Sequence, residues 1–253
     1  FEFLVRSESS TGDTLEATLT LDVKAAVFER FAPLNSDDNL GTDEGIAFSA
    51  DSVWVVSMDL NRLSGFAATG TATKSMSLEG RPVGCNFSDA TGLVFANSTD
   101  ELLQVIDIQT GLIRTLSDRT DAGSTLGAVN YPLPDKDGNI FVSNRTDSQV
   151  LRYDAATNET RVFLDNLSNP NALAFGPEPN VLYVGTRDGV LRVPINADGT
   201  AGALETYLPM LFAISDIDGL AFDEAANLWV GIPGAQLLSV APYVASGATQ
   251  ESR

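Results

Sequence analysis

The sequence predicts an all-β fold, a six-bladed β-propeller of four-stranded antiparallel blades, and two observations lead there. The first is the stretch from Ser168 to Val193. Asn171-Ala-Leu-Ala-Phe175 alternates small and large apolar residues, and the proline-bearing turn Gly176-Pro-Glu-Pro-Asn180 ends it. Val181-Leu-Tyr-Val-Gly185 follows, then the polar turn Thr186-Arg-Asp-Gly189, then Val190-Leu-Arg-Val193. Three short runs joined by tight turns make an antiparallel meander. The second observation is recurrence. The middle and third runs return as Val53-Trp-Val-Val56 with Arg62-Leu63, and as Leu93-Val-Phe95 with Leu102-Leu-Gln-Val105. They return again as Ile140-Phe-Val142 with Val150-Leu-Arg-Tyr153, and as Leu228-Trp-Val230 with Leu237-Leu-Ser-Val240. The spacing is roughly 40 to 47 residues, the repeat length of propeller blades, and no helical repeat pattern accompanies it.

Residues 1–43 fit the repeat poorly. Phe1-Glu-Phe-Leu-Val5, Ala17-Thr-Leu-Thr-Leu21 and Ala25-Ala-Val-Phe-Glu-Arg-Phe31 read as strands between Ser/Thr/Gly/Asp turns. A propeller has to close, because an open sheet edge invites aggregation. The N-terminal strands are therefore expected to build the last blade, with a further strand near Ala241 to Ala245. The whole chain, 1–253, is read as one domain: closing strands and an acidic loop over 1–43, five recognisable blades over 44–240, and a C-terminal closure or tail over 241–253.

With 34 Asp and Glu against 15 Lys and Arg, the formal charge is −19. Such a field repels phosphate backbones and anionic lipid, so neither nucleic acid nor membrane is an expected partner, whereas cations are attracted. The single cysteine, Cys85, excludes an intramolecular disulfide and a multi-cysteine zinc site. The absence of histidine removes Ser-His-Asp and Cys-His triads and histidine-held zinc or iron. What chemistry remains rests on carboxylates, amides, hydroxyls or a hard metal ion. Five Asn-x-Ser/Thr sequons, at Asn86, Asn97, Asn144, Asn158 and Asn166, together with a first residue that is not methionine, lead to the expectation of a processed, secreted protein.

Candidate site residues come from one position compared across the repeats, the start of each first strand, which in a propeller faces the central axis. Glu44 stands there before Gly45-Ile-Ala-Phe48, Asn130 before Tyr131-Pro-Leu-Pro134, Asn171 before Ala-Leu-Ala-Phe175, and Asp218 before Gly219-Leu-Ala-Phe222. In the second repeat the position falls near the apolar Val83-Gly84. Two carboxylates and two amide oxygens, with room for water, suit a hard cation such as Ca²⁺ or another hard divalent ion. Tyr131, Arg145, Arg187 and Trp54 are candidate walls of the pocket around it.

These same residues carry a family likeness. Glu44-Gly45, Pro170-Asn171 with Ala-Leu-Ala-Phe175 and Val181-Leu-Tyr-Val184, and Asp218-Gly-Leu-Ala-Phe-Asp223 with Asn227-Leu-Trp-Val230 resemble motifs of the SMP-30/gluconolactonase/LRE-like superfamily of six-bladed calcium propellers. That superfamily includes the squid-type diisopropylfluorophosphatase. Gly80-Arg-Pro-Val-Gly84 resembles a motif of the more distant strictosidine-synthase-like proteins. The resemblance implies that Glu44, Asn130, Asn171 and Asp218 are calcium ligands and that Asp218 is also the catalytic carboxylate. It implies a metal-dependent hydrolase of lactones or related esters, in the class of enzymes acting on ester bonds, with a small molecule as substrate. The chain departs from the family pattern at Tyr131, where Asp is usual, and at Ala172, where Gly is usual. It departs again at Ala128-Val129, which lacks an arginine found in several sugar lactonases; these changes weigh against sugar acid lactones. Two other readings stay open: a non-catalytic, calcium-stabilised binding propeller, and a strictosidine-synthase-like biosynthetic enzyme.

Overall fold

A computed structural model of the chain describes residues 2–8, 14–20, 43–209, 216–232 and 237–241, with 2–8, 14–20, 43 and 237–241 described by backbone alone. Residues 1–33 and 34–253 are two compact units. The first contains one antiparallel hairpin, β1 (Glu2–Glu8) with β2 (Thr14–Thr20), paired from Glu2 opposite Thr20 to Glu8 opposite Thr14. The strand expected over 25–31 and the tail beyond Ala241 lie outside the described residues.

The second unit is a series of antiparallel meanders in chain order. Blade one is β3 (Asp43–Phe48), β4 (Ser52–Ser57), β5 (Arg62–Ala67) and β6 (Ala72–Ser77). Blade two is β7 (Pro82–Ser88), β8 (Gly92–Asn97), β9 (Leu102–Ile106) and β10 (Ile113–Ser117). Blade three is β11 (Val129–Pro134), β12 (Ile140–Asn144), β13 (Gln149–Asp154) and β14 (Glu159–Leu164). Blade four is β15 (Leu173–Phe175), β16 (Val181–Thr186), β17 (Gly189–Pro194) and β18 (Glu205–Pro209). Blade five shows three strands, β19 (Gly219–Phe222), β20 (Leu228–Ile232) and β21 (Leu237–Ala241).

First strands pack side by side from blade to blade, β3 on β7, β7 on β11, β11 on β15 and β15 on β19. That is the inner wall of a β-propeller. Among the described residues, the apolar core lies between successive sheets, in four clusters. Trp54, Leu63 and Phe95 lie between blades one and two, and Val94, Ile140 and Leu151 between two and three. Phe141, Leu173 and Leu182 lie between three and four, and Tyr183, Ile217 and Val230 between four and five. The middle strands β12 and β16 are buried along their whole length because a sheet covers each face. Each fully buried Leu or Ile there contributes roughly 1.5–3 kcal/mol of transfer free energy. The fourth strands carry polar residues, as in Ala-Thr-Lys-Ser-Met-Ser of β6, which is largely exposed at the outer edge.

Close approach of the inner strands depends on glycine. A methyl group at Gly45 would stand 2.5 Å from the Cys85 amide nitrogen, and one at Gly84 would collide with the Asn130 carbonyl oxygen. Cys85 itself is fully buried, and burial pushes its thiol up to about 12.

A candidate metal centre at the strand entries

The ladder register shifts at the start of the first strand in blades one, two and three. The shifts fall between Asp43 and Gly45, between Pro82 and Cys85, and between Val129 and Pro132. The residues caught in them are Glu44, Val83-Gly84 and Asn130-Tyr131. A bulge adds a residue without a ladder partner and re-aims its side chain, so the sequence position singled out above is a bulge in three blades. Blades four and five reach the same place without one. Asn171 and Asp218 sit just ahead of their strands, and each donates its backbone N–H to the middle strand of its own blade, Asn171 to Gly185 O and Asp218 to Gly231 O, both at 3.0 Å. Ala172 N donates to Ile217 O at 3.3 Å, tying the entry of blade four to that of blade five.

The side chains meet at this end. Asn171 is buried, and its Nδ2 donates to Asp218 Oδ1 in a short hydrogen bond and to Asp216 Oδ2 at 3.4 Å. Glu44, from blade one, is close enough to Asp218 of blade five for the two charges to act on each other. Its carboxyl is held above the ordinary range, first by loss of water and then by Asp218, against the opposing pull of Arg81 and Arg145. Asp216, which sequence reasoning passed over, is buried and closes the group. It pairs with Arg145 Nη2 at 2.5 Å and accepts from Asn169 Nδ2 at 3.1 Å, while Arg145 Nε donates to Asn169 Oδ1 at 3.4 Å. Desolvation raises the Asp216 carboxyl, Arg145 opposes that rise, and Asp218 adds to it. The signal available in the sequence was the pair Asp216-x-Asp218, two carboxylates one residue apart ahead of a strand.

Of the other expected residues, Asn130 lies in the bulge of β11, half-buried, with its carbonyl against Gly84. Tyr131 packs against the apolar cluster between blades three and four, and burial raises its hydroxyl to about 12. Arg145 joins the site through Asp216. Arg187 is on the corresponding turn of blade four, exposed, its backbone N–H on Ser168 O at 2.8 Å. Trp54 is not a wall of the pocket. It is buried in the cluster between blades one and two with Nε1 on Ser49 Oγ at 3.2 Å, because middle strands are covered on both faces.

The donor set is oxygen throughout, and it gathers negative charge that Arg145 and Arg81 only partly offset. Among the described residues no three Asp, Glu, Cys or His stand together closely enough to hold a metal alone. A cation here would depend on the amide oxygens as well as on Glu44 and Asp218. Hard, oxygen-rich and anionic, the set fits Ca²⁺ in type.

A β-propeller with an acidic, amide-bearing cluster at the inner strand entries defines the class of protein. Residues 42–251 match the family model described as the SMP-30/gluconolactonase/LRE-like region, and the chain belongs to that family. No curated protein matches the sequence. Solved structures share the fold. A gluconolactonase from Xanthomonas campestris is 20% identical with a TM-score of 0.66, over 75% of this chain and 69% of that one. Regucalcin from Agrobacterium tumefaciens, a calcium-binding protein, is 18% identical with a TM-score of 0.60, over 75% and 67%. A streptogramin B lyase is 16% identical with a TM-score of 0.60, over 90% and 69%.

Proposed function

We propose that the protein is a calcium-dependent hydrolase of lactones or related esters. The observation that carries this reading is the convergence of Glu44, Asn171 and Asp218, from three different blades, on one desolvated anionic spot. Membership of the lactonase-type propeller family supports it. Glu44, Asn130, Asn171 and Asp218 would hold the ion. When bound, Ca²⁺ supplies a Lewis acid for the acyl carbonyl oxygen. In this reading Asp218 accepts a proton from an attacking water, a role that histidine fills in many hydrolases and that no histidine of this sequence can fill. Arg145, half-exposed beside Asp216, offers the substrate a cationic donor at the mouth of the site.

The test is proton release from a panel of γ- and δ-lactones and aryl esters, with the protein calcium-loaded and again after EDTA. Turnover abolished by EDTA and restored by Ca²⁺ is expected, and Asp218→Asn should lower kcat by about 10²-fold or more. Silence toward every substrate, with a melting temperature that falls on EDTA treatment, would instead identify a calcium-stabilised binding propeller.

A further inference from the structure

Asp216 sits two residues before Asp218, outside the four expected ligands, yet it is the most connected carboxylate of the cluster. It is 8% exposed and takes Arg145 from the blade-three turn together with Asn169 and Asn171 from the entry to blade four. Three blades are thereby joined through one side chain. The Asn171 amide nitrogen has two hydrogens, and both are consumed by carboxylates, one by Asp216 and one by Asp218. An amide is nearly symmetric in shape, so its neighbours alone decide which end faces where.

We propose that Asp216, locked by Arg145 and Asn169, is the positioning residue that fixes the Asn171 amide so that its oxygen, rather than its nitrogen, is the end left for a cation. The inference rests on the calcium reading above. Asp216 accepts from the amide nitrogen and cannot donate to it. Replacing its carboxylate by an amide, as in Asp216→Asn, presents either an acceptor or a donor to Asn171 and leaves Asp218, itself an expected ligand that a cation would draw on, as the remaining carboxylate to orient the amide. It also leaves Arg145 without its carboxylate partner, free to turn toward the ligand carboxylates and compete with a cation. Groups that orient a metal ligand in this way typically contribute 10- to 100-fold in metal affinity.

The experiment is calorimetric Ca²⁺ titration of the EDTA-stripped wild-type chain, Asp216→Asn, Asp216→Glu and Arg145→Gln, with the melting temperature of each metal-free protein measured alongside. Arg145→Gln alters a half-exposed residue and guards against a variant that fails to fold. The expected result is Ca²⁺ binding weakened about 10- to 100-fold in Asp216→Asn, more weakly impaired in Arg145→Gln, and partly restored in Asp216→Glu. The metal-free melting temperature should fall in Asp216→Asn, which breaks the pair with Arg145, and change less in Asp216→Glu, which keeps the charge. Wild-type affinity in both Asp216→Asn and Arg145→Gln would overturn the inference while leaving the calcium reading intact. A wild-type chain that takes up no Ca²⁺ would overturn both.

Discussion

Arg152 is buried in β13 with its guanidinium near the ring of Phe141, its carbon 5.9 Å from the ring centroid. Its Nη1 donates to Asp154 Oδ2 at 2.9 Å, while its Nε has no partner. The Asp154 carboxyl is held below the ordinary carboxylate range, chiefly by that hydrogen bond and further by the backbone N–H groups of Ala156 and Thr157. A carboxyl with a depressed folded-state pKa stabilises the fold fully above its unfolded value of about 3.9 and loses that contribution as pH falls through the folded value. Asp154→Asn should therefore melt below the wild type at neutral pH, and the gap should narrow as pH drops below about 4. A gap of constant size down to acid would show that the charge is not what Arg152 uses. Two of the five sequons also have a residue-scale explanation. Asn97 and Asn144 are buried, and each bonds the carboxylate three residues on, Asp100 at 2.9 Å and Asp147 at 2.7 Å. Each also donates to a backbone carbonyl, Glu79 O and Leu126 O respectively. They are turn-forming asparagines repeated in blades two and three, and their amides are committed to the fold. Of the other three, Asn158 and Asn166 are exposed and Asn86 is half-buried.

At the scale of the element, the inner strands stand closer than side chains allow, and Gly84→Ala tests this directly. The added methyl meets the backbone of Asn130 and Tyr131 rather than a side chain that could swing aside. A cost at or above the usual 1–3 kcal/mol of overpacking is expected, read as a lower melting temperature, and on the proposed calcium reading Ca²⁺ binding should weaken too, because Asn130 must shift. An unchanged melting temperature would mean that blades two and three can separate freely. Middle and third strands were legible in the sequence because a surface covered on both faces selects β-branched and aromatic runs, as in Val181-Leu-Tyr-Val184. Fourth strands such as β6 and β18 were not, since an exposed outer edge imposes no apolar pattern. The expected ligand positions were taken from strand starts, but the bulges that hold Glu44 and Asn130 could not be read there, because a bulge is a mismatch between two strands and neither shows it alone. Asp216 escaped for a related reason: its place is set by partners in blades three and four, not by its own strand.

Across the whole molecule, the inner faces of blades one to five match the repeat read from the sequence, and family membership fixes the class of fold. On β3, Ala47 faces the second blade and is buried, while Ile46 and Phe48 point the other way and are 51% and 64% exposed. Two large apolar residues on one strand face are a liability in water. The expectation that residues 1–31 complete the ring has a direct test. A chain beginning at Leu34 should self-associate in size-exclusion chromatography and melt several degrees below the full chain. A monomeric, equally stable 34–253 would remove the N-terminal strands from any part in closure.

The bulge between Pro82 and Cys85 occupies in blade two the position that holds Glu44 in blade one and Asn130 in blade three, but it contains Val83 and Gly84. The socket is built and its occupant is apolar. Val83 is buried in the apolar cluster between blades two and three, and Gly84 is held to glycine by the Asn130 carbonyl oxygen behind it. The same strand offset therefore serves two ends: in blades one and three it carries a polar side chain, and in blade two it seats one sheet against the next.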